Sequence, residues 1–152
     1  MAQTQSNKGL QATVEALQVK AGEPEEDDGQ TTLSVERSGR FDLDHEGGSD
    51  DVLGEEALAR KSEPISGDIR ELLDRSPDEV FHLAETVNWD RPFPPRPGIP
   101  DEAVLEWVLR TAKGVTIAKM WLRDAERDDE VAPLLRLLRS VVAEASQNRL
   151  FL

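Results

Sequence analysis

The sequence predicts an all-α fold, a small bundle of about five short helices over residues 64–147, preceded by a mostly disordered acidic arm. Three observations lead to this expectation. In residues 129–147 the apolar side chains recur at steps of three and four, which is the spacing of one helix face. The tetrapeptide SPDE at residues 76–79 resembles a capping box with proline at the first helical position. Residues 1–63 hold 6 basic and 15 acidic residues, a net charge of −9 out of −13 for the whole chain.

The acidic arm combines few apolar residues with high net charge. Such a segment cannot bury enough apolar surface to offset the entropy that ordering costs, so residues 1–63 are expected to be largely disordered. All three tryptophans and three of the four phenylalanines lie beyond the arm. We therefore expect the folded domain, with its apolar core, over residues 64–152.

A short amphipathic helix is expected near residues 8–20 of the arm. Three apolar residues there follow a helical spacing: Leu10, Val14 and Leu17. A helix of this length is unstable alone in water. The segment is therefore either a transient helix in a disordered arm or a recognition element that folds into a partner's groove, with these three residues as anchors.

The bundle is expected from apolar stripes and from local signals that start or end a helix. In chain order the five helices are predicted at residues 66–73, 76–87, 101–112, 115–122 and 129–147. The fourth is apolar nearly all round, which is typical of a central, buried helix. Gly114 separates it from the third helix as a stop or kink.

A proline-rich loop is predicted between the second and third helices. Residues 88–100 contain five of the nine prolines, whose fixed φ and missing N–H exclude both helix and central strand. Arg91, Pro94 and Pro97 match RxxPxxP, a spacing that resembles the ligands of SH3 domains. These three residues form a candidate peptide-ligand loop. The alternative is that the interleaved aromatic residues pin the loop onto the helices.

Residues 42–53, DLDHEGGSDDVL, resemble the first half of an EF-hand loop. Asp42, Asp44 and Glu46 fall at the first, third and fifth positions, where such loops place oxygen ligands. Leu53 stands at the twelfth position, where a bidentate glutamate should close the site. We therefore expect no metal site here.

Enzyme chemistry is not expected from this sequence. The chain has no cysteine or tyrosine, only two histidines, and no phosphate-binding glycine loop, nucleophile elbow or metal-binding histidine pair. No catalytic residue, cofactor or metal is predicted. A net charge of −13 repels nucleic acid and anionic lipid, so a protein partner with a basic or grooved surface is expected. With no long apolar segment, a cytoplasmic location is expected.

The last six residues, QNRLFL, carry one further pattern. Gln147, Leu150 and Leu152 fit QxxLxL, and Phe151 also allows QxxLF. This tail resembles the short peptides by which bacterial replication and repair proteins bind the sliding clamp. The resemblance implies that the glutamine hydrogen-bonds at a small pocket and that the apolar residues fill a larger one. Asn148 departs from it, because the family usually has leucine there. The alternative is that the tail packs on the bundle or extends the last helix.

Together these features predict a non-enzymatic protein–protein interaction protein of the adaptor, assembly or secretion chaperone, or polymerase-cofactor type. Two alternatives stay open. One is an acidic inhibitor that mimics nucleic acid, and the other is a bacterial sliding-clamp-binding protein. A bundle of this size is near the lower limit for an independent core, which is compatible with a homo-oligomer.

Overall fold

The structure is a computed structural model that describes residues 13–22, 29–46, 64–90, 103–147, 150 and 152. The described part contains six strands, β1 (Val14–Gly22), β2 (Gln30–Glu36), β3 (Arg40–Glu46), β4 (Ile65–Asp68), β5 (Val104–Thr111) and β6 (Gly114–Trp121). It also contains four helices, α1 (Ile69–Leu73), α2 (Asp78–Thr86), α3 (Leu122–Arg127) and α4 (Val131–Ser146). The prediction of an all-α helical bundle is therefore wrong. The fold combines one antiparallel sheet with a layer of helices.

The six strands form a single antiparallel sheet in the order β4-β3-β2-β1-β5-β6. β1 is central because it pairs with β2 on one side and with the sequence-distant β5 on the other. β5 and β6 form a hairpin whose two loop residues are Ala112 and Lys113. The N-terminal strands and the C-terminal hairpin therefore belong to one sheet, with β4 and β6 at its two edges.

The core lies between one face of the sheet and the helices. Every second residue of β2, β3 and β5 is buried, which is the alternation of a sheet with one dry and one wet face. The apolar stripe of α4 lies in the same core and includes Leu134, Leu135, Leu138, Val141 and Val142. Among the described residues, Trp107 on β5 and Phe81 on α2 are the bulkiest side chains that are fully buried.

Strands β1, β2 and β3 occupy part of the predicted disordered arm, so that prediction is wrong for residues 14–22 and 30–46. The composition was misleading because a sheet with one wet face buries only alternate residues. Polar and charged residues on the wet face make the segment hydrophilic in composition without preventing it from folding. The rest of the arm, residues 1–12, 23–28 and 47–63, lies outside the described residues.

A β-bulge explains why the start of β1 has the spacing of a helix. Val14 and Leu17 are three residues apart and both are buried, although a regular strand alternates its faces. The register toward β5 shifts between Val14 and Ala16. This extra residue brings both side chains to the core face. The helix predicted near residues 8–20 is therefore wrong in its described part, which belongs mostly to β1.

The helices predicted at residues 101–112 and 115–122 are also wrong, because these segments form β5 and β6. Three residues of β5 alternate into the core: Leu105, Trp107 and Leu109. Val104 and Val108, whose spacing of four residues is also that of one helix face, lie on the opposite face of the sheet. Gly114 begins β6 after the hairpin turn at φ +140°, a conformation that residues with a side chain rarely adopt.

The helices predicted at residues 76–87 and 129–147 are confirmed as α2 and α4, and the first predicted helix is reduced to the short α1. Hydrogen bonds within a helix link residues four apart, so these segments need no distant strand to form. The capping box forms only in part. The Ser76 hydroxyl accepts a hydrogen bond from the Asp78 N–H at 3.2 Å, whereas the Glu79 carboxylate bonds an arginine of the preceding loop.

An ion pair fastens α2 to the bulged end of β1. Glu85 Oε2 accepts hydrogen bonds from Arg37 Nη1 at 2.7 Å and from the Val14 N–H at 2.9 Å. Arg37 also donates to the Val14 carbonyl at 2.9 Å, and its guanidinium lies 5.3 Å from the centre of the Phe81 ring. Both main-chain groups of Val14 thus have side-chain partners beside the bulge.

Replacing Glu85 with alanine is expected to lower the free energy of unfolding by about 1–2 kcal/mol, because the Val14 N–H and Arg37 lose their shared acceptor. Urea denaturation followed by circular dichroism measures this change. Glu79→Ala is the matched control, since its pair with Arg75 is about half exposed and such pairs contribute roughly 0–1 kcal/mol. Equal small effects of the two substitutions would contradict a fastening role for Glu85.

Candidate interaction surface

The sheet face that points away from the helices changes character from one edge to the other. Near β4 it carries the carboxylates of Asp42 and Asp44 on β3. In its centre it is polar, and Gln18 on β1 donates a hydrogen bond to the Ser34 hydroxyl on β2 at 3.1 Å. Near β6 it carries mainly aliphatic and aromatic side chains. This last region is the candidate interaction surface.

The β5–β6 hairpin forms this region. Val108 lies opposite Ile117, and Glu106 lies opposite Lys119 with 3.5 Å between Oε2 and Nζ. Apolar and oppositely charged cross-strand pairs of this kind stabilise a hairpin. We define the hairpin surface as the side chains of β5 and β6 on the face away from the helices: Val104, Glu106, Val108, Arg110, Val115, Ile117, Lys119 and Trp121.

Val115 and Ile117 are the exposed large apolar residues of the described chain, with 59% and 61% of their surface accessible. β6 extends beyond the cover of the helices, because Thr116 and Ala118 on its other face are only half-buried and Met120 alone is buried. Adjacent exposed apolar side chains on a long edge strand are unusual in monomeric proteins. They mark either a binding site or an aggregation hazard.

β6 also presents main-chain groups outward. Successive residues of an antiparallel strand direct their N–H and C=O groups to alternate sides. The Leu122 N–H donates to the Ala103 carbonyl at 2.9 Å, so the even-numbered residues of β6 face β5. The odd-numbered residues Val115, Ile117 and Lys119 then direct their groups away from β5. In the described part of the chain, no strand pairs with that side of β6.

The charge of the hairpin is opposite to that of the whole molecule. Residues 103–121 contain three cations, Arg110, Lys113 and Lys119, against the single carboxylate of Glu106, a net charge of +2 in a chain of −13. Among the residues with described side chains, Lys119 forms an ion pair, and no ion pair involves the other two cations. The hairpin therefore favours an anionic group near its turn.

Two of the three predicted N-terminal anchors lie in the core. Val14 is fully buried and Leu17 is 2% exposed. Their side chains contribute to the apolar face of β1, where they contact the interior of this chain. Leu10, the third anchor, lies outside the described residues.

The described residues of the predicted clamp-binding tail lie beside α4. Gln147 is exposed and ends the helix in a left-handed conformation with φ 54°. Leu150 and Leu152 are buried, and the Leu150 N–H donates to the Ser146 hydroxyl at 3.0 Å. A side chain of α4 donates a second hydrogen bond, which the Leu152 carbonyl accepts. Phe151 lies outside the described residues. The two described leucines of the tail therefore present little surface to a partner.

The other sequence patterns do not add to the hairpin surface. Three residues of the candidate peptide-ligand loop lie outside the described residues: Arg91, Pro94 and Pro97. Residues 42–46 of the half EF-hand pattern lie in strand β3, where the Ser66 hydroxyl donates to the Asp42 carboxylate, and residues 47–53 lie outside the described residues. Within the described ranges, no three histidine, aspartate or glutamate side chains are grouped so that they could hold a metal ion.

Sequence reasoning missed Val115, Ile117 and Lys119 because the stretch 115–122 was interpreted as a helix. A signal for a strand was present. The consecutive β-branched residues Val115, Thr116 and Ile117 favour extended structure, since their stiff side chains fit a pleated sheet better than a helix.

Comparisons of the chain with protein-family models, with curated proteins and with solved structures give no match. None of the helices in the described ranges is both long enough and apolar enough to span a membrane. Function is therefore inferred from the geometry and charge of the hairpin surface.

Proposed function

We propose that this chain is a non-enzymatic interaction protein that docks a protein partner on the hairpin surface. The observation that carries the proposal is the exposure of Val115 and Ile117, at 59% and 61%, on an edge strand. Apolar surface gains about 25 cal/mol per Å² when it leaves water, so a partner that covers these side chains is favoured. An adaptor, an assembly or secretion chaperone, and a polymerase cofactor all fit this role.

The two exposed side chains supply only part of the affinity. Covering them contributes about 1–2 kcal/mol each, which does not offset the entropy lost on association. Specific interfaces typically bury about 800 Å² on each partner. The partner must therefore also contact the rest of the hairpin surface, including Val108 and the Glu106–Lys119 ion pair.

The two other functions considered have less support. An acidic inhibitor would present the carboxylates of residues 1–63. Two of those that the structure describes, Asp42 and Asp44, form a row on β3, where Arg40 Nη2 lies 3.6 Å from Asp42 Oδ1 and partly neutralises it. A sliding-clamp ligand would use the C-terminal leucines, which are buried beside α4. The hairpin surface is therefore the preferred docking region.

We expect Ile117→Lys to reduce capture of the partner by roughly tenfold or more, the effect of losing a central interface contact. The substitution puts a second charge beside Lys119 and removes the more exposed of the two large apolar side chains in solvent. Because this side chain lies in solvent, the melting temperature should stay within a few degrees of the unaltered chain. Affinity capture from the native host with quantitative mass spectrometry measures the retained proteins.

His82→Lys is the matched control for this experiment. His82 is exposed on α2, in the helix layer on the other side of the sheet, and the substitution adds the same charge. We expect the control to retain the same proteins as the unaltered chain. Equal retention by Ile117→Lys and the unaltered chain would show that the hairpin surface is not the docking region.

A further inference from the structure

We infer that the outer edge of β6 takes an extended acidic and apolar peptide segment of the partner, added to the sheet as a further strand antiparallel to β6. This inference rests on the proposed function and names the kind of partner. It follows from three observations: the outward main-chain groups of β6, the alternation of its exposed side chains, and the positive charge of the hairpin.

The main-chain groups of β6 form a ready template for another strand. Val115, Ile117 and Lys119 direct their N–H and C=O groups away from β5, as shown above. β6 has eight residues, whereas β4 at the opposite edge has only four and follows Pro64. Short length and a neighbouring proline are devices that block strand addition at an edge. β6 has neither, so an incoming strand would pair with β6 and not with β4.

The side chains of β6 determine which residues the incoming strand must carry. On the wet face of the sheet, its residues would stand directly opposite Val115 and Ile117, so two alternate positions must be apolar. On the other face the same strand would lie beside Thr116 and Ala118, which are half-buried and leave room for small or polar residues. An extended peptide with apolar residues at every second position fits both faces.

Charge complementarity predicts that the residues of the incoming strand that flank its apolar pair are acidic. Arg110 and Lys113 lie at the turn end of the hairpin, and Lys119 lies near the other end. Acidic residues flanking the apolar pair would face these cations. The acidic side chains of β3 are five strand spacings from the added strand, about 24 Å at 4.8 Å per strand, which exceeds the Debye length of about 8 Å at physiological salt. They therefore do not repel the peptide strongly.

The same charges disfavour a second copy of this chain as the occupant. Two β6 strands paired side by side would bring two hairpins of net charge +2 together, with unfavourable like-charge contacts. A basic peptide is disfavoured for the same reason. The acidic peptide is thus the occupant that satisfies both the backbone and the charges.

The test uses the full chain and three labelled ten-residue peptides measured by fluorescence anisotropy. The first carries glutamate, valine, valine and glutamate at successive alternate positions with threonine at the positions between them, the second has lysine in place of both glutamates, and the third has the composition of the first in a block order. We expect the first peptide to bind at least ten times more tightly than the other two. We also expect its affinity to fall as salt is raised, since attraction between exposed charges is screened.

Two variants separate main-chain pairing from side-chain contact. Lys119→Pro removes one outward N–H at an edge position where proline is tolerated, and Lys119→Ala removes the same charge but keeps the N–H. We expect Lys119→Pro to bind the acidic peptide at least ten times more weakly than Lys119→Ala. Equal affinities of these two variants, while Ile117→Lys still loses the native partner, would overturn strand addition and leave the proposed function intact.

Amide hydrogen exchange by NMR gives a measurement that does not depend on the proline variant. On binding the acidic peptide, exchange at Val115 and Ile117 should slow at least tenfold. Exchange at Thr116 and Ala118, which already face β5, should change little. No slowing at the odd-numbered residues would overturn the inference. Tighter binding of the lysine peptide, or a dimer of this chain that Lys119→Pro abolishes, would also overturn it.

Discussion

A chain shortened to residues 64–152 is expected to show no cooperative unfolding transition. It lacks β1, β2 and β3, so β5 loses the neighbour with which it pairs and the helices lose much of the sheet that they cover. Eight buried apolar side chains of those strands would be missing from the core: Val14, Leu17, Val19, Ala21, Leu33, Val35, Phe41 and Leu43. Their combined contribution, of order 10 kcal/mol, is comparable with the whole stability of a typical domain.

Circular dichroism during a urea titration tests this expectation. The full chain should unfold in one sigmoidal transition, and the shortened chain should change gradually without a midpoint. A sigmoidal transition of the shortened chain would instead support an independent domain over residues 64–152, as the amino-acid sequence predicted.

A pair of point substitutions checks the same conclusion in the full chain. Leu17→Asp buries a charge in the core and should unfold the protein, because an unpaired buried charge costs several kcal/mol. Gln18→Asp lies on the wet face of the same strand and should change the free energy of unfolding by no more than about 1 kcal/mol. Similar small effects of both substitutions would mean that β1 does not contribute to the core.

Trp107→Ala is expected to lower the free energy of unfolding by about 3–5 kcal/mol. Trp107 on β5 is fully buried, and its ring centre lies 5.4 Å from that of Trp89 at an interplanar angle of 49°. Removing the indole leaves a cavity beneath the helices and one unpartnered aromatic ring. Urea denaturation with circular dichroism measures the loss.

Trp107→Phe is the matched substitution and should cost much less, about 1–2 kcal/mol. The Trp107 Nε1–H is buried without an acceptor in the described part of the structure, so phenylalanine removes an unsatisfied donor as well as apolar contacts. Near-equal losses for the alanine and phenylalanine variants would show that the ring volume is not what Trp107 contributes. A loss below about 1 kcal/mol for Trp107→Ala would contradict its place in the core.

The candidate site was harder to predict than the fold's helices. The residues singled out in the sequence, such as Leu17 and Leu150, are apolar at regular spacing, and that spacing describes core residues as well as it describes anchors. Ile117 looked like a buried helix residue for the same reason. Whether an apolar side chain is buried or exposed depends on which element covers it, and the covering elements come from distant parts of the chain.

Helices α2 and α4 show what the sequence by itself determined. Each helix forms through hydrogen bonds between residues four apart, and each carries its own apolar stripe and its own start signal, such as Ser76 before α2. These are local properties of about ten to sixteen residues. They can be identified without knowledge of any other segment.

Only the tertiary structure decided that residues 14–22, 104–111 and 114–121 are strands. The spacing of their apolar residues is compatible with one face of a helix. It is also compatible with the alternating faces of a strand, provided that a bulge shifts the register of β1 at Val14. The choice depends on pairing between β1 and β5, which are distant in the sequence and supply each other's hydrogen-bond partners. Since β5 pairs with β1 on one side and with β6 on the other, β6 lies at the edge of the sheet and Ile117 lies in solvent. The hairpin surface therefore results from this non-local pairing.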